Sequence, residues 1–150
     1  MYKRQALHGL RLSETSLGSK VVVIGLGIIG QLVCRLAEAQ GSEVIGIDPD
    51  TKRTDMSANF YTSVEEANMT NVDSVIITAA TSSNEPIEVA TKIARNKAKI
   101  VVVGDIPLNI SRNDFYYKEL ELVVSKSYGP GRYDKQYEIC LLYTSDAADD

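Results

Sequence analysis

The chain has 150 residues, 44% hydrophobic and 24% charged, which is the composition of one globular domain with its own core. A formal charge of -4 leaves no basic field for nucleic acid or an anionic membrane surface, and no apolar run approaches the roughly 18 residues of a spanning helix, so neither partner is expected. Cys34 and Cys140 stand far apart with no C-x-x-C pair, which argues against a disulfide framework or a cysteine zinc site and fits a reducing, cytoplasmic compartment.

Residues 1–18 contain a short helix in "KRQALHGLRL" and come before the first strand. From residue 20 to 124, apolar runs of strand length alternate with segments of helical period, the pattern of a parallel sheet with helical crossovers. Residues 21–24 form a first strand whose unbroken apolar run predicts burial on both faces. A helix over 28–40 follows, with Ile29, Leu32, Val33, Leu36 and Ala37 at helical spacing and Gly41 as its stop. Residues 43–47 are a second strand, "DPDTKRTDMSANF" a turn into a short helix, and 60–62 a weak third strand. "SVEEANMTNVD" suits another short helix with Ser63 as N-cap and Glu66 three residues on.

The fourth strand is placed at 74–79. A helix is expected over 86–97, with Ile87, Ala90, Ile93 and Ala94 on one face, and a fifth strand over 100–103 that ends at Gly104. Residues 120–124 supply the sixth. The fold class is therefore α/β, a doubly wound parallel six-stranded Rossmann sheet in the order 3-2-1-4-5-6.

The first strand runs into "GLGIIG". In a G-x-G-x-x-G spacing Gly25 permits the tight turn, Gly27 lets backbone approach a pyrophosphate, and Gly30 lets the helix pack close to the strand. The N–H groups of Ile28, Ile29 and Gly30 then face the phosphates with the positive end of the helix dipole. By itself such a spacing is also compatible with a plain turn; its place between an apolar strand and an amphipathic helix selects the dinucleotide reading.

Asp48 ends the second strand about 20 residues on, where a carboxylate accepts both adenosine ribose hydroxyls and repels a 2′-phosphate. NAD is favoured over NADP, although Lys52 and Arg53 lie close enough to offset part of that repulsion. The same two residues also read as a solvated helix face. Thr78, Ala79, Ala80 and Thr81, with Val103 and Gly104, at the ends of the fourth and fifth strands, should face the same crevice, where small residues leave room for ribose and nicotinamide; Ala79 and Ala80 also suit packing under a helix. His8, the single histidine, lies on the first helix in a surface or packing role, and Cys34 reads as core. No Ser-His-Asp set, shared carboxylate pair or metal cluster can be assembled, so no catalytic residue is assigned.

"ALHGLRLSETSLGSKVVVIGLGIIGQL" resembles the junction between catalytic and cofactor domains in medium-chain, alcohol-dehydrogenase-like oxidoreductases. "DSVIITAATSSNEPIEVATKIARNKAKIVVVGD" and "FYYKELELVVSKSYGPGRYDKQYE" are similar to one subgroup, the bi-domain oxidoreductases, which join such a half to a Gfo/Idh/MocA-type half. The resemblance spans about residues 6 to 138, "KSYGPGRYD" being its most specific part. It implies nicotinamide-dependent hydride transfer at an alcohol or carbonyl carbon of a small molecule, of polyol or sugar type, with Gly25, Gly27, Gly30 and Asp48 on the cofactor motif.

The resemblance also implies a catalytic domain before this segment, the home of any zinc, and a further domain after it. Residues 1–18 then read as a junction helix, 19–126 as the dinucleotide-binding domain and 127–139 as the start of a following segment. The final "CLLYTSDAADD", residues 140–150, is similar to a translated sequencing-adapter end. A homo-oligomer is left open. The competing reading is a nucleotide-sensing regulatory Rossmann module without catalysis. Such modules begin at the first strand, whereas this chain carries a preceding helix and a "KEL" segment before the sixth strand.

Overall fold

A computed structural model describes residues 1–55, 57 and 59–133. Six parallel strands form one sheet: β1 (Lys20–Ile24), β2 (Glu43–Ile47), β3 (Phe60–Tyr61), β4 (Val72–Ile77), β5 (Ala94–Val102) and β6 (Glu121–Val124). Their order is β3-β2-β1-β4-β5-β6, as the alternation of elements predicts. Chain direction reverses its march across the sheet between β1 and β4, where Ile24 pairs with Ile77 on one side and Ile47 on the other. That switch point opens a crevice at the carboxyl ends of the strands.

The continuous apolar runs are buried on both faces. On one face Val22, Ile24, Val75, Ile77, Ile100 and Val102 pack against Ile87, Ala90 and Ile93 of α5 (Glu85–Ile93). On the other, Val21, Val23, Ile76 and Val101 meet α2 (Ile28–Ala39) through Val33, Cys34 and Ala37, and α1 (Tyr2–Leu12) through Ala6 and Leu10. Alternation along each strand divides a single run between two cores.

The short helices follow their caps. In α3 (Thr51–Thr54) the Asp50 side chain accepts the Lys52 N–H, and in α4 (Val64–Ala67) the Ser63 hydroxyl accepts the Glu66 N–H at 3.3 Å. Glu66 does not close a reciprocal box with Ser63. Its carboxylate accepts the Thr62 N–H and hydroxyl instead.

Three predicted elements have moved boundaries. The fourth strand begins two residues early, at Val72, and ends at Ile77, so Thr78 and Ala79 lie in the crevice loop. The fifth helix stops at Ile93, and Ala94 belongs to β5, not to the helix face. Apolar period alone runs through this boundary. The structure ends the helix where Lys118, at the end of α6 (Arg112–Lys118), donates to the Thr91, Lys92 and Ala94 carbonyls at 2.7, 2.9 and 2.9 Å. Lys97 then takes a left-handed φ of 60°, and the β4–β5 register slips between Val72/Ala94 and Ser74/Lys99. The fifth strand accordingly spans Ala94–Val102, where 100–103 was expected.

Candidate functional site

The crevice is built from four strand ends that lock into one another. The Gly25 N–H donates to the Ile47 carbonyl at 2.8 Å, the Thr78 N–H to the Ile24 carbonyl at 2.8 Å, and the Val103 N–H to the Ile77 carbonyl at 2.8 Å. Each ladder thus runs one residue past its strand, and the loops leave the sheet in close contact.

Glycine is required where they touch. At Gly25, φ is +97°, and a Cβ would stand 2.5 Å from the Ala79 nitrogen. At Gly30 a Cβ would strike the Gly25 carbonyl and lie 2.7 Å from Thr78 Oγ1. At Gly104 it would strike the Ala79 carbonyl. Gly27 differs: its φ is -67°, and nothing stands within 4 Å of where its Cβ would be. The close packing is intramolecular at the first and third glycines of the motif, and the space is open at the second.

Beyond Gly27, α2 begins. Gln31 is the first residue of this helix whose N–H closes back onto Gly27, at 3.0 Å. The N–H groups of Ile28, Ile29 and Gly30 precede that first closure, as in any helix start. Ile28 is 64% exposed, Ile29 packs on the core below, and Gly30 is buried.

Asp48 follows β2 directly and is only 3% exposed. Its Oδ2 accepts the Leu26 N–H at 2.7 Å and an Arg53 guanidinium N–H at 3.0 Å, while Oδ1 accepts the Asp50 N–H at 2.9 Å. Burial pushes this carboxyl up, but the two amides and the Arg53 guanidinium outweigh it and hold the group below the ordinary aspartate value. Arg53, with its side chain half exposed, also reaches Asp50 at 3.4 Å. Lys52 is exposed on the same turn.

The sequence singled out Ala80, Thr81 and Gly104. Ala80 and Thr81 are exposed beside the crevice; the Thr81 N–H donates to the Asp105 carbonyl and its hydroxyl accepts the Ser83 N–H. Gly104 lies against the Ala79 backbone, so its contact within the chain is a packing one. Sequence reasoning missed Leu26 and Gln31 as parts of the site; it set Thr78 at the crevice without foreseeing its bond to the glycine turn. Thr78 Oγ1 donates to the Gly25 carbonyl at 2.5 Å, and Gln31 Nε2 to the Leu26 carbonyl at 2.9 Å. Nothing in the spacing marks Leu26 or Gln31.

His8 is partly buried with Gly129 packed on its ring, and burial followed by the nearby Arg11 charge lowers its pKa. Gly129 has φ +90° and enters a 3-10 turn, Pro130–Arg132, as the Gly-Pro-Gly run suggests. Arg132 donates to the Ser127 hydroxyl at 3.0 Å. Cys34 is 1% exposed in the core. Among the described residues no group of three or more His, Cys, Asp or Glu side chains could hold a metal, and no helix is long and apolar enough to cross a membrane. Residues 134–150, including Cys140 and the adapter-like tail, lie outside the described residues.

Comparison with known proteins gives a consistent picture of the fold and cofactor class. The domain family described as "D-isomer specific 2-hydroxyacid dehydrogenase, NAD binding domain" matches residues 2–116. The 2-dehydro-3-deoxy-L-galactonate 5-dehydrogenase of Pseudoalteromonas atlantica is 27% identical over 149 residues, covering 89% of this chain and 43% of the relative. D-guloside 3-dehydrogenase of Escherichia coli is 45% identical over 53 residues, 35% of this chain and 15% of that protein. Among solved structures, a protein described as a zinc-binding dehydrogenase from Sinorhizobium meliloti, bound to NADP, superposes with a TM-score of 0.73 and 26% identity, over 83% of this chain and 42% of that one. The chain therefore spans less than half the length of these relatives.

Proposed function

This chain belongs to the family of D-isomer specific 2-hydroxyacid dehydrogenase NAD-binding domains, and from that premise we propose that it is the NAD-binding half of an alcohol-dehydrogenase-like oxidoreductase acting on a polyol or sugar-type alcohol or carbonyl carbon. The observation that carries this is the open space at Gly27. Of the three motif glycines, Gly25 and Gly30 are filled by the chain itself, and Gly27 alone leaves a Cβ-sized approach to backbone at a helix start. That is where a pyrophosphate needs unhindered backbone and free amides.

In this reading the N–H groups of Ile28, Ile29 and Gly30, with Gly27 beside them, hold the phosphates. Asp48 Oδ1, with one bond from Asp50, keeps acceptor capacity for a ribose hydroxyl. Arg53 and Lys52 lie where they soften repulsion of a 2′-phosphate, so NADH binds better than NADPH by a modest margin. Ala80, Thr81 and Gly104 border the space for the nicotinamide end. The cofactor supplies hydride exchange. The sugar dehydrogenase names of the relatives support the substrate class.

The division into a junction helix (1–18), a cofactor domain (19–126) and a following segment (127–139) belongs to the same proposal, as do a cytoplasmic location and substrate groups, with any zinc, held outside this segment. The isolated chain then binds cofactor without turning over alcohols, because hydride transfer needs the substrate carbon positioned against the nicotinamide with a proton acceptor in reach. Titration of NADH into the chain, followed by cofactor fluorescence, tests the reading. Saturable binding lost in Gly27→Val is expected; no binding by the unmutated chain, or binding that Gly27→Val leaves intact, overturns it.

A further inference from the structure

The glycine turn is gripped by side chains from the loops after β2 and β4 and from α2, and the grip has a direction. In a trans peptide the carbonyl and the following N–H point opposite ways, so fixing either end fixes the plane. The peptide joining Gly25 to Leu26 is held at both ends: its carbonyl accepts Thr78 Oγ1–H at 2.5 Å, and its N–H donates to Asp48 Oδ2 at 2.7 Å. The next peptide, Leu26 to Gly27, is held through its carbonyl by Gln31 Nε2 at 2.9 Å, which sets the direction of the Gly27 N–H.

Gly30 belongs to the same device. The position its Cβ would take is filled by the Gly25 carbonyl and Thr78 Oγ1, so the third glycine of the motif makes room for this hydrogen bond as well as for helix against strand. Gly25 is itself buried, and without Thr78 its carbonyl would lose its short hydrogen bond in a place where water is scarce.

We infer that Thr78 and Gln31 are positioning residues for the pyrophosphate, presetting two successive peptide planes of the turn so that the amides meet the phosphates without rearrangement. The inference rests on the dinucleotide reading of the site. A turn ordered before binding avoids the ordering cost on binding, so loss of the grip should weaken phosphate-bearing ligands selectively.

The experiment compares NADH, ADP and adenosine binding to the full chain and to Thr78→Val, Thr78→Ser and Gln31→Leu. Thr78→Val is expected to weaken NADH and ADP about tenfold, the order of one hydrogen bond, and to leave adenosine within about twofold. Thr78→Ser, which keeps the hydroxyl, should bind as the unmutated chain does. Gln31→Leu should show the same ADP-selective loss, and it carries the test by itself if Thr78→Val does not fold. Equal losses for ADP and adenosine, unchanged ADP binding in either variant, or failure of Thr78→Ser to restore affinity overturns the inference. If the unmutated chain binds neither NADH nor ADP, the dinucleotide reading itself fails, a result distinct from all of these.

Discussion

Asp48 and Leu26 are joined by a 2.7 Å hydrogen bond from the Leu26 amide to Asp48 Oδ2, which ties the end of β2 to the middle of the glycine turn. The carboxylate expected to read the ribose therefore also holds the turn. Asp48→Ala removes both roles. It should lower NADH affinity by tenfold or more and NADPH affinity by less, since loss of the charge relieves the 2′-phosphate. Parallel titrations check this; an NADH-to-NADPH preference equal to that of the unmutated chain would count against a ribose role.

The same carboxylate gives a pH dependence of known sign. Its folded pKa lies below the ordinary value, so its contribution to stability is present above the unfolded value near about 4 and is lost as pH falls through the lower folded value. Asp48→Asn should be destabilised at neutral pH and show a shallower loss of stability on acidification than the unmutated chain. Urea midpoints between pH 3 and 7 measure it.

Arg53 pairs with Asp48 at 3.0 Å while remaining half exposed. Arg53→Gln should weaken NADPH several-fold and change NADH by no more than about twofold, because only the former carries charge where the guanidinium sits. The difference should shrink as salt is raised.

Two glycines of the crevice separate stability from binding. Gly27→Val meets open space and should melt near the unmutated temperature while losing cofactor. Gly104→Ala drives a methyl into the Ala79 carbonyl and should cost about 1–3 kcal/mol of stability, the range for overpacking.

Lys118 draws three carbonyls at the end of α5 onto one ammonium. Lys118→Met keeps the aliphatic stem and removes the charge, which should cost about 1–3 kcal/mol in chemical unfolding. An unchanged midpoint would mean that the Lys97 bend ends the helix without this cap.

Cys34 is buried, and its thiol is pushed up to about 12, first by burial and then by Glu38. At pH 8 this thiol is held in its protonated, unreactive form. The peptide carrying Cys34 should stay unlabelled by iodoacetamide in the native chain and label fully in denaturant, by mass spectrometry.

What the sequence determined by itself was local and periodic. The apolar runs of β1, β2 and β5, the helical period of α2, the Ser63 cap and the glycine spacing are all short-range features, and six strands with helical crossovers then leave 3-2-1-4-5-6 as the simplest order, which the sheet adopts. Asp48 was legible for the same reason: it follows an apolar strand at a spacing that sets it opposite the turn. Only the tertiary structure decided where α5 stops, because the Lys118 ammonium that caps it comes 25 residues after Ile93 and no window of sequence contains both. The grip on the glycine turn is non-local in the same way. Thr78 is 53 residues from Gly25 and Asp48 is 22 from Leu26, and they meet only because β1 lies between β2 and β4. A hydrogen bond's energy depends on distances of a few tenths of an ångström, and those are set by how the strands stack, which no residue's own preference encodes.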